Sequence, residues 1–295
     1  MRNKSKMIPL VCLAALTAVL AAGCAKKQTY AEVSSDIADS FPIQAEPAEN
    51  PQLTNSGGPR AIVHTTAGDI TILLYPKQAP KAVENFIGLA KEGYYDGSLF
   101  YYAKRRELTQ GGKPGDQEAD ERSLWGEAFE DETDNGLYHF KGAVAMAGDG
   151  GYTSNSNLSQ FYLLVKEEIP EDDRIIPANC YMNDLMKLRL KDLEALGREK
   201  ELSEEEIKTF EDDLNEEIKA IATDGVPEEY EEKYVPVAAR YGQVGGAWGL
   251  DYKHTVFGQI VEGLNVAEAI TQVKVSAEDR KPKKDVVIES VEIIE

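Results

Sequence analysis

The stretch from Gly142 to Val165 constrains the fold of this 295-residue chain most strongly. It contains two short apolar runs, Ala143–Ala147 and Gln160–Val165, which are rich in strand-forming residues and too short to be stable helices. A polar loop of Gly, Ser, Asn and Thr residues lies between the two runs and is of the kind that reverses the direction of a chain. The stretch therefore predicts a β-hairpin.

The second run also predicts a strand with two different faces. Because side chains alternate along a strand, Gln160, Tyr162 and Leu164 are expected to share one face. The opposite face is apolar and carries Phe161, Leu163 and Val165. An amide and a phenol beside an apolar wall suit a groove that holds a peptide. Taken alone, the pattern also fits an ordinary structural hairpin.

More short elements precede this hairpin. Residues Ala61–Thr66 and Asp69–Tyr75 alternate between apolar and polar positions around Ala67-Gly68, which is typical of two strands joined by a tight turn. Pro80 suits the first turn of a helix, and apolar residues at helical spacing follow it. Leu99–Tyr102 is expected to form another strand.

The composition disfavours several classes of function. The chain has 52 Asp and Glu against 32 Lys and Arg, a formal net charge of −20, so nucleic acid is not expected as a partner. Only Cys180 lies beyond the first 24 residues, so neither a disulfide framework nor a thiolate metal cluster is expected. The three histidines share no metal-ligand spacing. The sequence therefore predicts no metal and no cofactor.

The first residues have the pattern of an export signal. A basic start is followed by the apolar run Met7–Ala22 and then by Gly23 and Cys24. The segment 1–23 resembles a lipoprotein signal peptide, which implies cleavage before Cys24 and a lipid on its thiol. That lipid would anchor the chain to the extracytoplasmic face of a bacterial cell membrane, with residues 24–60 as a flexible tether. A plain signal peptide or a single membrane helix is the alternative.

Five motifs occur in the order APKAVENFIGLAKEGYYDGSLF, TQGGKPGD, GAVAMA, SQFYLLV and LDYKHTVFGQIVEGLNVAEAI. Together they resemble the cyclophilin family of peptidyl-prolyl cis-trans isomerases. The resemblance covers residues 61–165 and 248–295. It implies an all-β fold with helices, namely a closed eight-stranded antiparallel barrel capped by two helices. The second helix is expected at Leu264–Ile270 and the last strand at Val286–Ile294.

The resemblance also implies an activity and a set of site residues. Rotation about an X–Pro bond breaks no covalent bond, so the site has to bind the twisted amide better than either planar isomer. Proline-containing exported or unfolded polypeptides are the expected substrates. The positions that match the family's catalytic residues are Tyr102, Gln110 and His254. The positions that match its peptide-binding residues are Leu108, Ala147, Gln160, Tyr162, Trp248 and Leu250.

Three positions depart from the family pattern. Tyr102 stands in place of the catalytic arginine, and a phenol lacks the charge and the planar set of donors of a guanidinium. Glu107 replaces a pocket phenylalanine, and Gly148 replaces an asparagine that contacts the peptide backbone. These departures leave a second hypothesis open, a non-catalytic proline-peptide-binding module or chaperone. In that case Tyr102 is merely a core or rim aromatic.

An acidic insertion, residues 166–247, separates the two halves of the resemblance. Ser203 and Glu206 form a capping-box pattern before apolar residues at steps of three and four, which predicts a helix. Together with an earlier apolar stripe, this predicts a helical hairpin broken at Gly197–Ser203, followed by a looser return over Gly225–Gly246. The acidic faces are either simply solvated, or the insertion flanks the groove and selects clients or gates entry.

Overall fold

The computed structural model of the chain describes residues 51–54, 58–114, 121–133, 135–148, 156–172, 174–200 and 202–294. The predicted signal peptide, Cys24 and most of the predicted tether lie outside the described residues. None of the helices in the described ranges combines the length and the hydropathy of a membrane span.

An antiparallel sheet of eight strands forms the framework of the described part of the chain. The strands are β1 (Arg60–Thr65), β2 (Gly68–Leu74), β3 (Tyr102–Lys104), β4 (Leu108–Gly111), β5 (Ala143–Met146), β6 (Phe161–Leu164), β7 (Val256–Glu262) and β8 (Ile288–Ile294). Hydrogen-bonded neighbours follow the order β3-β4-β6-β5-β7-β2-β1-β8. The predicted β1–β2 and β5–β6 pairs are both present.

The sheet curls until its two edges meet. The backbone N–H of Phe100 donates to the carbonyl of Val286 at 2.9 Å, and the N–H of Gly97 donates to the carbonyl of Ile288 at 2.8 Å. The segment before β3 is thereby joined to the start of β8, so the edges are partly paired. The expected eight-stranded antiparallel barrel with helices is confirmed, and a short bridge rather than a long ladder joins its edges.

Seven α-helices accompany the sheet in the described ranges. They are α1 (Pro51–Thr54), α2 (Pro80–Lys91), α3 (Ile175–Glu199), α4 (Glu204–Asp224), α5 (Glu228–Lys233), α6 (Val235–Val244) and α7 (Leu264–Thr271). Helix α2 begins at a proline, as expected, and its buried face includes Phe86. The ring of Phe86 lies edge-on to that of Phe161, with 5.4 Å between the centroids. Helices α2 and α7 both contribute to the core of the barrel.

Alternate residues of β6 point to opposite sides of the sheet, as its sequence predicts. Phe161 and Leu163 are fully buried inside the barrel. Tyr162 and Leu164 belong to a second apolar cluster on the outer face. One face of β6 therefore builds the core, and the other is available for a site.

The insertion contains the predicted helical hairpin. Helices α3 and α4 are separated by residues 200–203, close to the expected break. The backbone N–H of Glu206 donates to Oγ of Ser203 at 3.2 Å, and the N–H of Ser203 donates to Oε2 of Glu206 at 2.9 Å. The capping box is thus formed from both sides.

The expectation of a looser return over Gly225–Gly246 is wrong, because most of this segment is helical in α5 and α6. Its buried hydrophobic side chains are Tyr230, Tyr234, Val237 and Tyr241. They follow one another at steps of four, three and four, which places them on one side of a helical path. Burial of this side against α3 favours helices where the acidic sequence suggested a loop.

The end of the predicted tether is docked on the barrel. Gln52 of α1 is 1% exposed, and its side-chain amide forms two hydrogen bonds with the backbone of Tyr138. The amide nitrogen of Gln52 lies 2.9 Å from the carbonyl of Tyr138, whose N–H donates to the amide oxygen at 2.7 Å. The expectation of a flexible tether over residues 24–60 is therefore wrong for α1 (Pro51–Thr54).

Candidate functional site

Three of the predicted site residues lie in one row on the outer face of the sheet. Tyr102 of β3 lies opposite Gln110 of β4, and Gln110 lies opposite Tyr162 of β6. Residues directly opposite in antiparallel strands share a face and contact each other's side chains. Tyr102 and Gln110 are half-buried, whereas Tyr162 is only 2% exposed. We call Tyr102, Gln110 and Tyr162 the cross-strand row, and Tyr162 is its buried floor.

Apolar side chains that were expected to bind peptide lie beside this row. Leu108, Ala147 and Leu250 are half-buried and pack against the outer cluster that contains Tyr162. Ala147 also donates its backbone N–H to the carbonyl of Gln160 at 2.9 Å, which continues the β5–β6 pairing. The structure therefore brings these predicted residues together at an apolar surface.

His254 completes one side of the site. Its ring lies edge-on to that of Tyr162, with 5.6 Å between centroids and an interplanar angle of 88°. Burial lowers the pKa of His254 to about 4, and the nearby His139 and Lys253 add to the effect. The imidazole is therefore neutral near pH 7, with one donor and one acceptor nitrogen.

Trp248 faces the insertion more than the row. It begins a 3₁₀ turn, Trp248–Leu250, and its indole lies 5.9 Å from the ring of Tyr241 in α6. Nζ of Lys166 lies 5.8 Å from the centre of the indole. The peptide-binding role of Trp248 stays a prediction, and its observed neighbours belong to the insertion.

Sequence reasoning missed Tyr101, which lies next to the predicted Gln160. The Tyr101 hydroxyl donates to Oε1 of Gln160, and burial raises the pKa of the Tyr101 phenol. The phenol therefore stays protonated and fixes the orientation of the amide, whose NH₂ group remains a donor. The sequence signal that could have identified Tyr101 is its position directly before Tyr102, where the family pattern has another polar residue, a histidine.

The structure gives physical reasons for the other two departures from the family pattern. The carboxylate of Glu107 lies 2.6 Å from Nζ of Lys104, so the residue at the pocket position forms an ion pair. A Cβ atom on Gly148 would lie 2.6 Å from Oγ of Ser156 and 2.9 Å from Oδ1 of Asn157. The chain at residues 156–157 occupies the space that an asparagine side chain would need.

A buried hydrogen-bonded network behind the floor was also missed. Nε2 of His139 lies 2.7 Å from the hydroxyl of Tyr162, and Nδ1 lies 2.9 Å from Oδ1 of Asp251. Tyr241 donates to Oδ2 of the same carboxylate at 2.8 Å. Because an ionised carboxylate only accepts, Nδ1 of His139 is the donor to Asp251, and Nε2 is hydrogen-bonded to the hydroxyl of Tyr162. No local sequence pattern links these residues, because His139 and Asp251 are 112 positions apart.

The arrangement suits binding and reorientation of an amide. Donors from Gln110, Tyr102 and neutral His254 surround an apolar floor, and this chemistry needs neither a nucleophile nor a redox group. Among the residues with described positions, no group of three or more His, Cys, Asp or Glu side chains is arranged to hold a metal ion.

The comparisons with known proteins agree with this geometry. A family model described as "Cyclophilin type peptidyl-prolyl cis-trans isomerase/CLD" matches residues 60–178 and 243–293. A Staphylococcus epidermidis protein, provisionally named a peptidyl-prolyl cis-trans isomerase, is 34% identical over 236 residues, which cover 80% of this chain and 92% of that protein.

Two further matches are less complete or more distant. A Streptococcus pyogenes protein, provisionally named a bifunctional phosphatase/peptidyl-prolyl cis-trans isomerase, is 35% identical over 245 residues. The match covers 82% of this chain and only 40% of that protein. A crystal structure of a cyclophilin-type peptidyl-prolyl cis-trans isomerase from Cryptosporidium parvum matches with a TM-score of 0.49 and 18% identity, over 80% of this chain and 98% of the other.

Proposed function

The chain belongs to the family of cyclophilin-type peptidyl-prolyl cis-trans isomerases, and we propose that it accelerates rotation about X–Pro bonds by binding the twisted amide at the cross-strand row. The cross-strand row is the observation that carries this proposal. It places the predicted catalytic positions Tyr102 and Gln110 on one face with the floor residue Tyr162. His254 lies against the same floor.

The proposed mechanism follows from the chemistry of the amide. Uncatalysed rotation faces a barrier of about 18–20 kcal/mol because the planar amide is stabilised by resonance. In the twisted state the prolyl nitrogen becomes a better hydrogen-bond acceptor, so a donor that reaches it there lowers the barrier. The apolar surface of Leu108, Leu250 and Tyr162 takes the proline ring. The amide of Gln110 and neutral His254 hold the flanking backbone, and the phenol of Tyr102 acts where the family pattern has arginine.

A second candidate function is a proline-peptide-binding module or chaperone that does not accelerate rotation. The phenol of Tyr102 favours it, because it carries no charge at the position of the family arginine. Arg105 and Arg106 are exposed in the turn after β3, and neither occupies the position of the family arginine. Loss of a preorganised donor costs about 10²–10³ in rate at other enzyme sites. The same groove would then bind proline peptides without useful turnover.

The proposed substrates are proline-containing segments of exported or unfolded polypeptides outside the cytoplasm. The basic start, the apolar run and Gly23-Cys24 support a lipid on Cys24 that holds the chain at the extracytoplasmic face of a bacterial membrane. Mass spectrometry of the N-terminal peptide tests this directly. Diacylglycerol on Cys24, lost in Cys24→Ser, supports the anchor, whereas cleavage elsewhere with an unmodified thiol contradicts it.

The proposed organisation is a barrel built from residues 61–165 and 248–295, which the insertion 166–247 interrupts. The family model supports a barrel in two parts, because its match stops after residue 178 and resumes at residue 243.

Exchange spectroscopy by NMR on a short X–Pro peptide tests the proposed function with the full-length chain. Acceleration of cis–trans exchange by the wild type is expected. Tyr102→Phe is expected to reduce it about tenfold, less than the loss of an oxyanion-hole donor, because Tyr102 is only half-buried and its hydroxyl is partly screened by water. Peptide binding without acceleration supports the binding module. The absence of both binding and acceleration contradicts both functions.

A further inference from the structure

Helix α3 of the insertion holds the segment that carries Leu250. Nδ2 of Asn179 donates to the carbonyl of Trp248 at 2.7 Å, and Nδ2 of Asn183 lies 3.4 Å from the carbonyl of Asp251. The two asparagines are four positions apart, so they lie on the same side of α3. They are 8% and 2% exposed. One helix face therefore holds both ends of Trp248–Asp251.

Helix α6 contacts the side chains of the same segment. The hydroxyl of Tyr241 donates to the buried carboxylate of Asp251 at 2.8 Å. The Tyr241 ring also lies 5.9 Å from the indole of Trp248. The insertion thus contacts the backbone and the side chains of the segment.

The residue that follows the segment has an unusual backbone conformation. Tyr252 has φ of 65°, in the left-handed region that side chains larger than glycine rarely adopt. It is 4% exposed and belongs to the apolar cluster that contains Cys180, Met182 and Tyr234 of the insertion. A bulky residue persists in such a conformation only where its surroundings fix it. Here those surroundings are largely the core of the insertion.

The segment in turn connects to the candidate groove. Leu250, its third residue, packs against the outer cluster that contains Tyr162. Its last residue, Asp251, accepts from His139, whose Nε2 is hydrogen-bonded to the hydroxyl of Tyr162. Contacts from the insertion therefore reach the floor of the cross-strand row through one buried network.

We propose that the insertion is a scaffold that sets the shape of the groove, with Asn179, Asn183 and Tyr241 as positioning residues. They act through the Trp248–Asp251 segment and do not contact the peptide. The dependence of peptide binding on these residues rests on the proposed function, whereas the shape of the segment does not. The acidic outer faces of the insertion are not required for this role.

The test measures two properties of Asn179→Ala and Tyr241→Phe in the full-length chain. One is the affinity for a short X–Pro peptide, and the other is the emission of Trp248. The chain has two tryptophans, so a Trp125→Phe background isolates that emission. Each variant is expected to bind the peptide about three- to tenfold more weakly, the equivalent of one lost hydrogen bond. The emission of Trp248 is expected to shift towards that of a solvated indole.

Two control variants separate positioning from general stability. Asn215→Ala removes an exposed asparagine from α4 and is expected to change neither readout. Leu185→Ala creates a cavity among Tyr181, Ile221 and Tyr230, away from the segment. It is expected to lower the melting temperature at least as much as Asn179→Ala, yet to leave the affinity and the Trp248 emission unchanged where the chain is folded.

The outcomes are distinct. Unchanged affinity and emission in both Asn179→Ala and Tyr241→Phe overturn the proposal, as does an equal effect of Leu185→Ala. If the wild-type chain binds no proline peptide, the proposed function fails. In that case a shifted Trp248 emission in the two variants still supports the scaffold, and an unshifted one overturns it.

Discussion

The hydroxyl of Tyr162 lies 2.7 Å from Nε2 of His139, and both residues are almost completely buried. The floor of the candidate groove is therefore fixed from behind by a hydrogen bond that a phenylalanine at this position cannot make. This one contact links the family's groove to the network of Asp251 and Tyr241.

Tyr162→Phe is expected to destabilise the fold by about 1–3 kcal/mol, because it leaves Nε2 of His139 buried without its hydrogen-bond partner. Urea denaturation measures the change in the free energy of unfolding. The matched variant Tyr102→Phe removes a half-buried hydroxyl and is expected to stay within about 0.5 kcal/mol of the wild type. Equal effects of the two variants would show that the His139 contact adds nothing to stability.

The stability of the chain is expected to fall as the pH drops from about 6.5 to about 4 because of His254. Burial lowers the pKa of His254 from 6.5 to about 4 in the folded chain. Between these values the unfolded chain binds a proton that the folded chain does not, so the free energy of unfolding decreases with falling pH. Urea denaturation at pH 7 and pH 4.5 checks this. The His254→Gln variant should lose less stability than the wild type, by on the order of 2 kcal/mol.

Gly246→Ala is expected to destabilise the fold by more than about 2 kcal/mol, because it strains the backbone where the insertion rejoins the barrel. Gly246 has φ of 151°, and a Cβ atom there would lie 2.2 Å from the carbonyl oxygen of His139. Thermal or urea unfolding gives the change.

Gly242→Ala is the control for that substitution. Gly242 lies in α6 and is exposed, and a Cβ atom at this position would meet only open space. Alanine there is expected to stabilise the helix by about 0.5–1 kcal/mol. Loss of stability in both variants would point to a general intolerance of α6, not to the close approach at Gly246.

Glu107→Phe is expected to bind an X–Pro peptide about two- to fivefold more tightly, because it adds apolar surface beside Leu108. The backbone at this position is held independently of the side chain, since the carbonyl of Glu107 accepts from Val165 at 2.7 Å. Calorimetric titration measures the affinity. Lys104→Gln breaks the same ion pair without adding apolar surface, and an equal gain in that variant would assign the effect to charge.

Much of the barrel is predictable because its signals are local. Pro80 marks the start of α2, alternation marks the faces of β6, and Ser203 with Glu206 marks the start of α4. Each signal depends on residues within one element. The boundaries were less accurate, since the expected strand at Leu99–Tyr102 is found at Tyr102–Lys104.

The candidate site was only partly predictable. The motifs place Tyr102, Gln110 and Tyr162 in register, because the strand pairing of the fold fixes which residues are opposite. The links from His139 to Asp251 and from Asn179 to Trp248 join residues that are 112 and 69 positions apart. Such contacts depend on how distant segments of the barrel and the insertion pack together, and no periodicity in the sequence encodes them.

The most direct test of the proposed isomerase compares catalysed X–Pro exchange between the wild type, Gln110→Ala and Gln243→Ala. Gln110 lies in the cross-strand row, whereas Gln243 is exposed on α6. We predict that the wild type and Gln243→Ala accelerate exchange. The catalysed rate of Gln110→Ala is expected to be about ten- to a hundredfold below that of the wild type. Equal acceleration by all three proteins would show that the reaction does not take place at this row.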